Sequence, residues 1–429
     1  MSDIFIPESA HPRVVIIGGG FAGLHLAQKL RNKDVQVVLL DKNNFHQFQP
    51  LFYQVATSGL EPDTIVFALR KIFRNQKNLV FRLANAEAIN TALNILYTDI
   101  GDIEYDHLVV ATGTTNNFYG MVDVEENAVG LKSIQDSLDI RSLVLENLER
   151  AAQSSDPKER EKHTNIVVVG GGPAGVEMAG ALAEFKKFIF KKDYPDLSSD
   201  LLRIILIEAG AKLLPTMSEK SSKQTKRILQ QLDVELKLNS AVTAYDGDVV
   251  ELKGGDKINA SSMIWTAGVS GQFPSGLGAA GKVKGERLQV DRYNRIEGYE
   301  NIYAIGDVCS MKTNKFPLGH PQVAPVAIQQ GVLLAKNICT QDKEDWKSFE
   351  YFDKGALATI GKRKAVLDAG RIHMSGFLGW FVWATVHLFS IAGFTNKLRI
   401  GLNWLSAYLS FDKRNRLIIR PYKKSKDKG

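Results

Sequence analysis

The chain has 429 residues, 44% apolar and 24% charged, with a net charge of +7 at neutral pH. That length predicts two or three domains with ample core, in an ordinary globular composition. Its two cysteines, Cys309 and Cys339, form no CxxC pair, which argues against a disulfide framework or a thiol–disulfide active site and fits a reducing compartment.

Residues 1–12 read as a loose arm without the apolar run of a signal peptide. Val14, Val15, Ile16 and Ile17 then form a β-branched run, as in a strand buried on both faces. Gly18, Gly20 and Gly23 follow in G-x-G-x-x-G spacing, and a helix is predicted over 22–30. The first glycine allows a tight turn, the second lets a pyrophosphate approach the backbone, and the third lets helix and strand pack closely. The helix N-terminus offers amides to the phosphates. A second apolar strand ends on Asp41, where a carboxylate can accept from ribose hydroxyls. Strand, glycine turn, helix, strand and acid together predict a dinucleotide site. Past Asp41 the chain runs back along such a ligand, so Gln47, Gln49 and Pro50 are candidates to line it, while His46 reads as local packing.

Residues 59–74 read as a helix capped by Asp63 or Thr64, and 79–97 as strands of a small meander. A third buried strand ends in Ala111, Thr112 and Gly113, small residues that let backbone pass close to the first dinucleotide. Residues 132–152 have helical apolar spacing, and the polar stretch 154–164 reads as a linker.

From Asn165 the opening pattern recurs. Ile166 to Val169 lead into Gly170, Gly172 and Gly175, then a helix carrying Glu177, an insertion at 191–200, and a strand ending on Glu208. Two copies of one supersecondary unit, about 150 residues apart, predict two dinucleotides, one held permanently and one exchanging. Glu208 can bind a ribose 2′-hydroxyl but repels a 2′-phosphate, and the nearest base is Lys212, so NADH is predicted over NADPH. A helix over 218–232 and strands within 234–256 follow. Ala267 and Gly268 end a strand that parallels the one ending at Gly113. Another apolar strand ends in Gly306 and Asp307, which puts a carboxylate at the strand's C-terminal edge beside a bound ligand. Residues 325–339 read as a helix with Pro325 in its first turn, where the lost N–H costs nothing.

Residues 377–394 carry no formal charge, near the lower length limit for a transmembrane helix. Two glycines, Ser, Thr, His387 and the tryptophans favour a helix lying in the membrane interface instead. A polar turn and a second amphipathic stretch at 402–411 follow. Residues 412–429 hold eight Lys or Arg and two Asp, so nearly all the net charge sits there. An aromatic apolar face with a cationic flank predicts a monotopic anchor on an anionic membrane surface, and nucleic acid would need no such stripe. A dimer interface or core helix pair is the alternative.

At this point the residues are specific enough to name a family. The two glycine units, Asp41, Ala111 to Gly113 and Ala304 to Asp307 together resemble the two-dinucleotide flavoprotein reductases. Within them, the sequence around Glu177, Ala-Pro-Val-Ala-Ile-Gln-Gln-Gly at 324–331, Ala-Leu-Ala-Thr-Ile-Gly-Lys at 356–362 and the Trp-rich C-terminus resemble the type II NADH dehydrogenases, non-pumping NADH:quinone oxidoreductases. The resemblance covers residues 13 to about 420. It implies an α/β fold of two Rossmann-like domains: an NADH domain at 119–268 inserted in an FAD domain at 1–118 and 269–345. A C-terminal membrane-anchoring helical region would occupy 346–429.

The resemblance also implies site roles. FAD would be tightly bound on Gly18, Gly20 and Gly23, with Asp41 on its ribose, Asp307 on the ribityl chain, and Lys42, Gln49, Ala111, Thr112, Gly113, Gly306 and Ala327 along it. NADH would lie on Gly170, Gly172, Gly175, Glu208, Ala267 and Gly268, with Glu177 near the reacting rings. The helix from Pro325 would aim its positive end at the flavin and stabilise reduced charge. Gln329 and Gln330 would meet a membrane quinone, and Lys362 would be a cation at the flavin edge. Many members carry Ala-Gln where Ala324-Pro325 stands, which shifts the head-group contact to Gln329. No metal is implied. The implied enzyme is peripheral, homodimeric and on the cytoplasmic face of the membrane.

Glutathione-reductase-like enzymes need a cysteine pair that residues 41–60 lack. Sulfide:quinone oxidoreductases carry sulfur on cysteines, whereas Cys309 and Cys339 read as small buried apolar groups. A membrane-docking flavin redox sensor with slow NADH oxidation is the reading from another class.

Overall fold

Val14 to Ile17 run at 0–5% exposure through the middle of a five-stranded sheet, the environment a β-branched run requires. The computed structural model describes residues 4–278, 280–391, 394–410 and 415–423. Chain contacts divide it into two units. The first is Met1–Gln47, Val66–Thr115 and Val269–Asp353, and the second is Phe48–Ile65, Asn116–Gly268 and Lys354–Gly429.

In the first unit the sheet order is Ile302–Ala304, His107–Val110, Arg13–Ile17, Gln36–Asp41, Leu79–Leu83. Every pairing is parallel, with Val14 opposite both Val37 and His107. Alternate residues serve alternate faces. Val15, Ile17, Val38 and Leu40 enter one core; Val14, Ile16, Val37 and Leu39 enter the other. The helix Phe21–Lys29 packs on the helix Ala324–Ile338, where Gly331 allows the approach: a Cβ there would stand 2.4 Å from the Ala22 carbonyl.

The second unit repeats the plan. Its sheet order is Val129–Gly130, Ser262–Trp265, Asn165–Val169, Arg203–Ile207, Val234–Lys237, again all parallel. The helix Pro173–Phe185 follows the central strand. The four strands around each glycine turn therefore correspond in order, while the edge strand comes from late in the chain in one unit and early in the other.

Three local expectations are corrected. Residues 59–74 are not one helix: Pro62–Thr64 is a 3₁₀ turn, Val66–Ala68 is a strand paired with Phe45–Gln47, and only Leu69–Phe73 is α-helical. The pairing buries Phe67 beside His46, and tertiary burial outweighs local propensity. Residues 154–164 are not an open linker. Asp156 accepts from the Lys158 amide as N-cap, Pro157 holds the first helical position, and Pro157–Thr164 is helical. Leu79–Leu83 joins the parallel sheet beside Gln36–Asp41; the meander is formed by Ala86–Asn90, Ile95–Thr98 and Gly101–Glu104.

The C-terminal segment is helical over Gly376–Ser390 and Phe394–Ser410. Among the described residues no helix is long and apolar enough to cross a membrane. Residues 411–414 and 424–429, which hold five of the eight tail cations, lie outside the described residues. Two of the other three are occupied: Arg416 pairs with Asp193 and Arg420 with Asp139, each at 2.7 Å.

Candidate active site

In the first unit the chain turns at Gly18 with φ +108°, and a Cβ on Gly23 would stand 1.9 Å from the Gly18 carbonyl. Only glycine permits that closeness of helix and strand. Around Gly20 a Cβ would meet nothing within 4 Å, so the loop backs onto open space. Asp41 closes the turn: Oδ2 accepts from the Gly19 amide at 2.6 Å and Oδ1 from the Asn43 amide at 2.7 Å. Burial raises its carboxyl above the ordinary carboxylate range, against those two hydrogen bonds, which lower it.

His46 lies inside the turn as packing. It is 3% exposed, bonded to the Gly19 carbonyl and edge-on to Phe21. Burial lowers it to about 4, so it is neutral at physiological pH. Ala111 is buried, Thr112 and Gly113 are half-buried, and Gly113 sits at φ +70° with open space where a Cβ would be. Asp307 is half-buried at the end of its strand, and Gln322 donates to its carbonyl. Ala327 is buried in the first turns of the Ala324–Ile338 helix. Lys42 is exposed beside Asp41.

The second unit reproduces this closure. Glu208 Oε2 accepts from the Gly171 amide and Oε1 from the Gly210 amide, both at 2.6 Å. A Cβ on Gly175 would stand 1.8 Å from the Gly170 carbonyl, and Gly172 faces open space. Ala267 and Gly268 are half-buried beyond their strand, with Gly268 at φ +99°.

Glu177 stands on the Pro173–Phe185 helix and accepts from the Thr359 amide at 3.2 Å and the Thr359 hydroxyl at 3.5 Å. Burial raises its carboxyl to about 8, and the Thr359 bonds pull the other way. Behind Thr359 a chain of bonds continues. The Thr359 hydroxyl meets the Tyr53 hydroxyl at 2.8 Å, Gln54 Nε2 donates to Tyr53 at 2.9 Å, and Trp404 Nε1 donates to Gln54 Oε1 at 2.9 Å. Written with Tyr53 donating to Thr359, every bond points toward Glu177. Tyr53, Gln54, Thr359 and Trp404 were not singled out as site residues from the sequence. Tyr53 and Gln54 lie more than 300 positions from Thr359 and Trp404, and no spacing rule joins the two ends of the chain.

The glutamine pair is reassigned in part. Gln330 is 1% exposed, with Oε1 accepting from the Gly306 amide at 2.7 Å and its amide turned to Cys309. It braces the strand end. Gln329 is half-buried and pairs with Phe352 backbone in both directions at 3.0 Å. The backbone amide of Lys362 donates to Glu184, and burial lowers its ammonium. Gln49 is exposed at the start of a 3₁₀ turn whose last residue, Leu51, is buried. Cys309 is buried, its thiol pushed up to about 12, but Cys339 is exposed, contrary to the expectation of two buried groups.

The Gly376–Ser390 helix divides into two faces. Gly379 and Trp383 are buried, with Trp383 stacked on His387 at 4.3 Å and against Trp404 at 5.3 Å. Phe377, Leu378, Phe381, Val386 and Phe389 are 44–73% exposed, joined by Leu398, Leu402 and Leu405 on the next helix. Exposed apolar surface of that extent marks an interaction face.

Residues 12–331 match the family model for pyridine nucleotide-disulphide oxidoreductases. The type II NADH:quinone oxidoreductase Ndh of Mycobacterium tuberculosis is 35% identical over 424 residues, covering 94% of this chain and 89% of that protein. The internal alternative NAD(P)H-ubiquinone oxidoreductase A1 of Arabidopsis thaliana mitochondria is 28% identical, with 94% and 85% covered. Among solved structures, NDH2 of Plasmodium falciparum in complex with NADH aligns with a TM-score of 0.87 at 20% identity, covering 95% of this chain and all of that one. The sulfide:quinone oxidoreductase of Aquifex aeolicus aligns at 0.70 and 21%, a likeness of fold alone.

Proposed function

Since the chain belongs to the pyridine nucleotide-disulphide oxidoreductase family and, within it, to the type II NADH:quinone oxidoreductases, we infer that it oxidises NADH and passes the electrons through FAD to a membrane quinone. The observation that carries this reading is the duplicated closure of a glycine turn by an acid, Asp41 in one unit and Glu208 in the other. When bound, FAD supplies two-electron redox chemistry between a nicotinamide and a quinone.

The residues of the first turn fit FAD. Gly20 and Gly113 leave space where side chains would stand, and Asp41, held by two amide hydrogen bonds at the strand end, is proposed to meet the ribose. Gly18, Gly23, Lys42, Gln49, Ala111, Thr112, Gly306, Asp307 and Ala327 complete the proposed lining. The helix Ala324–Ile338 brings the positive end of its dipole to stabilise reduced flavin. Gly170, Gly172, Gly175, Ala267 and Gly268 hold NADH, with Glu208 on its ribose. The carboxylate at Glu208 disfavours a 2′-phosphate, which supports NADH as donor.

Glu177 is proposed as the proton-handling group. A carboxyl titrating near 8 exists in both protonation states at neutral pH, as a general acid–base requires. Thr359 fixes its orientation, and Tyr53 fixes Thr359. Gln329 is the remaining glutamine for the quinone head group, and Lys362 a candidate cation of the reaction. Sulfur chemistry is disfavoured by the buried, weakly acidic Cys309.

The exposed apolar faces of Gly376–Ser390 and Phe394–Ser410 are proposed to rest on an anionic membrane at its cytoplasmic side, giving a peripheral, monotopic enzyme. A homodimer would present two such faces. With Arg416 and Arg420 paired internally, the lipid-facing charge must come from other cations.

The test is anaerobic mixing of detergent-solubilised protein with NADH and then quinone. The expected result is an oxidised-flavin spectrum that bleaches on NADH and returns on quinone. Bleaching without return would move the reading to a redox sensor, and no flavin would overturn it.

A further inference from the structure

Trp404 stands on the Phe394–Ser410 helix, and its indole N–H donates to Gln54 Oε1 at 2.9 Å. An indole nitrogen can only donate, so it fixes the Gln54 amide with its oxygen toward Trp404 and its nitrogen toward Tyr53. Gln54 Nε2 then donates to the Tyr53 hydroxyl at 2.9 Å. Among the described residues the phenol has one other partner, the Thr359 hydroxyl at 2.8 Å, and its proton goes there. Thr359 in turn gives its own hydroxyl proton to Glu177 Oε1 at 3.5 Å, beside its backbone amide at 3.2 Å. The amide cannot reverse, so two donors converge on one carboxyl oxygen.

All five residues belong to the second unit. Tyr53 and Thr359 are 7% and 3% exposed, so bulk water does not compete for their hydroxyls, whereas Glu177 is half-buried. The helix that begins the line is seated on the segment that carries Gln54. Asn396 Nδ2 donates to the Asp63 and Thr64 carbonyls at 3.4 and 3.3 Å, and Arg399 pairs with the Asp63 carboxylate at 3.3 Å. Among the described residues every hydrogen bond to Glu177 arrives at Oε1. When Glu177 is protonated, its hydrogen therefore sits on Oε2.

We propose that Trp404, Gln54, Tyr53 and Thr359 are positioning residues that act through one another on Glu177: a one-way hydrogen-bond line from the Phe394–Ser410 helix keeps Oε1 an acceptor and leaves the exchangeable proton to Oε2. Its bearing on catalysis rests on the reading of Glu177 as the proton-handling group. Hydrogen bonds to a carboxylate favour its charged form. Without the Trp404 N–H, the Gln54 amide turns over and takes the Tyr53 proton for itself. Without the Tyr53 hydroxyl, Thr359 loses the donor that directs it. Either change weakens the hold on Oε1 and raises the pH at which Glu177 ionises, so the seating of the C-terminal helix sets the proton affinity of a carboxyl it does not touch.

The experiment is an infrared pH titration of the full-length, FAD-loaded protein, in which the protonated-carboxyl band lost in Glu177→Gln belongs to Glu177. In Tyr53→Phe and Trp404→Phe the midpoint of that band should move up by about half a pH unit. Thr359→Val should move it the same way, and Thr359→Ser, which restores the hydroxyl, should return it to the wild-type value. A wild-type midpoint in both Tyr53→Phe and Trp404→Phe would overturn the proposal. Should Trp404→Phe fail to fold, Tyr53→Phe and the Thr359 pair decide in the same way. The pH profile of turnover, recorded alongside, tests the redox reading separately. A band that shifts while the turnover inflection stays would keep the line and remove Glu177 from proton handling.

Discussion

Two carboxylates carry the residue-scale predictions. Glu177 titrates near 8 in the folded chain against 4.5 ordinarily, so the folded state binds the extra proton between those values. Its contribution to stability is neutral at low pH and becomes increasingly unfavourable as pH rises through that window. Glu177→Gln removes the group. The pH profile of turnover should lose its inflection near 8, and the variant should gain stability relative to wild type in alkali, read by melting at two pH values. An unchanged inflection would assign the proton to another group. Glu208 holds two loop amides and is proposed to meet the ribose. Glu208→Gln keeps one acceptor but removes the charge, so the preference for NADH over NADPH in kcat/KM should narrow by about tenfold. Both acids were legible in the sequence because each ends a strand or follows a glycine turn. Tyr53 and Thr359 were not, because a hydrogen bond across 306 positions leaves no periodic trace.

Among the secondary-structure elements, the Gly376–Ser390 helix carries the sharpest test. Its buried side holds Trp383 against Trp404, which in turn bonds Gln54. Deleting the C-terminus would remove that packing along with any membrane contact, so exposed-face substitutions separate the two. Phe381→Asp with Phe389→Asp changes groups 58% and 73% exposed. Stability should move by no more than about 0.5 kcal/mol per site, while recovery with sedimented membranes should fall severalfold. Full recovery would reject the membrane face. The sequence located this helix by its uncharged aromatic run, but which side faces outward depends on what Trp404 and Phe48 cover. The helix missed at Pro157–Thr164 fails for the opposite reason: its polarity hid a capping signal at Asp156.

For the whole molecule, buried neutral histidines set the acid limit. His46 and His387 are both lowered to about 4 by burial. Their unfolded forms take up protons from about 6.5 downward. The stability they contribute is complete above that value and is lost as pH falls from 6.5 to 4, on the order of 3 kcal/mol for His46. Melting should drop steeply over that interval, and His46→Asn, if it keeps the Gly19 bond, should flatten the drop. A wild-type melting temperature constant from pH 7 to 4 would contradict this.

The sequence by itself determined the duplicated strand–glycine–helix–strand–acid unit, the two nucleotide sites it predicts, and the family. Those features are local, since a turn that admits only glycine and a strand buried on both faces must be written in adjacent residues. Tertiary structure alone decided the rest. It assigned the sheet edges to distant segments, turned Gln330 inward to brace Gly306, and tied Arg420 to Asp139. It also assembled Glu177, Thr359, Tyr53, Gln54 and Trp404 into one hydrogen-bonded line. Which polar groups meet is settled by where folding leaves each of them without water, and that is a property of the packed chain.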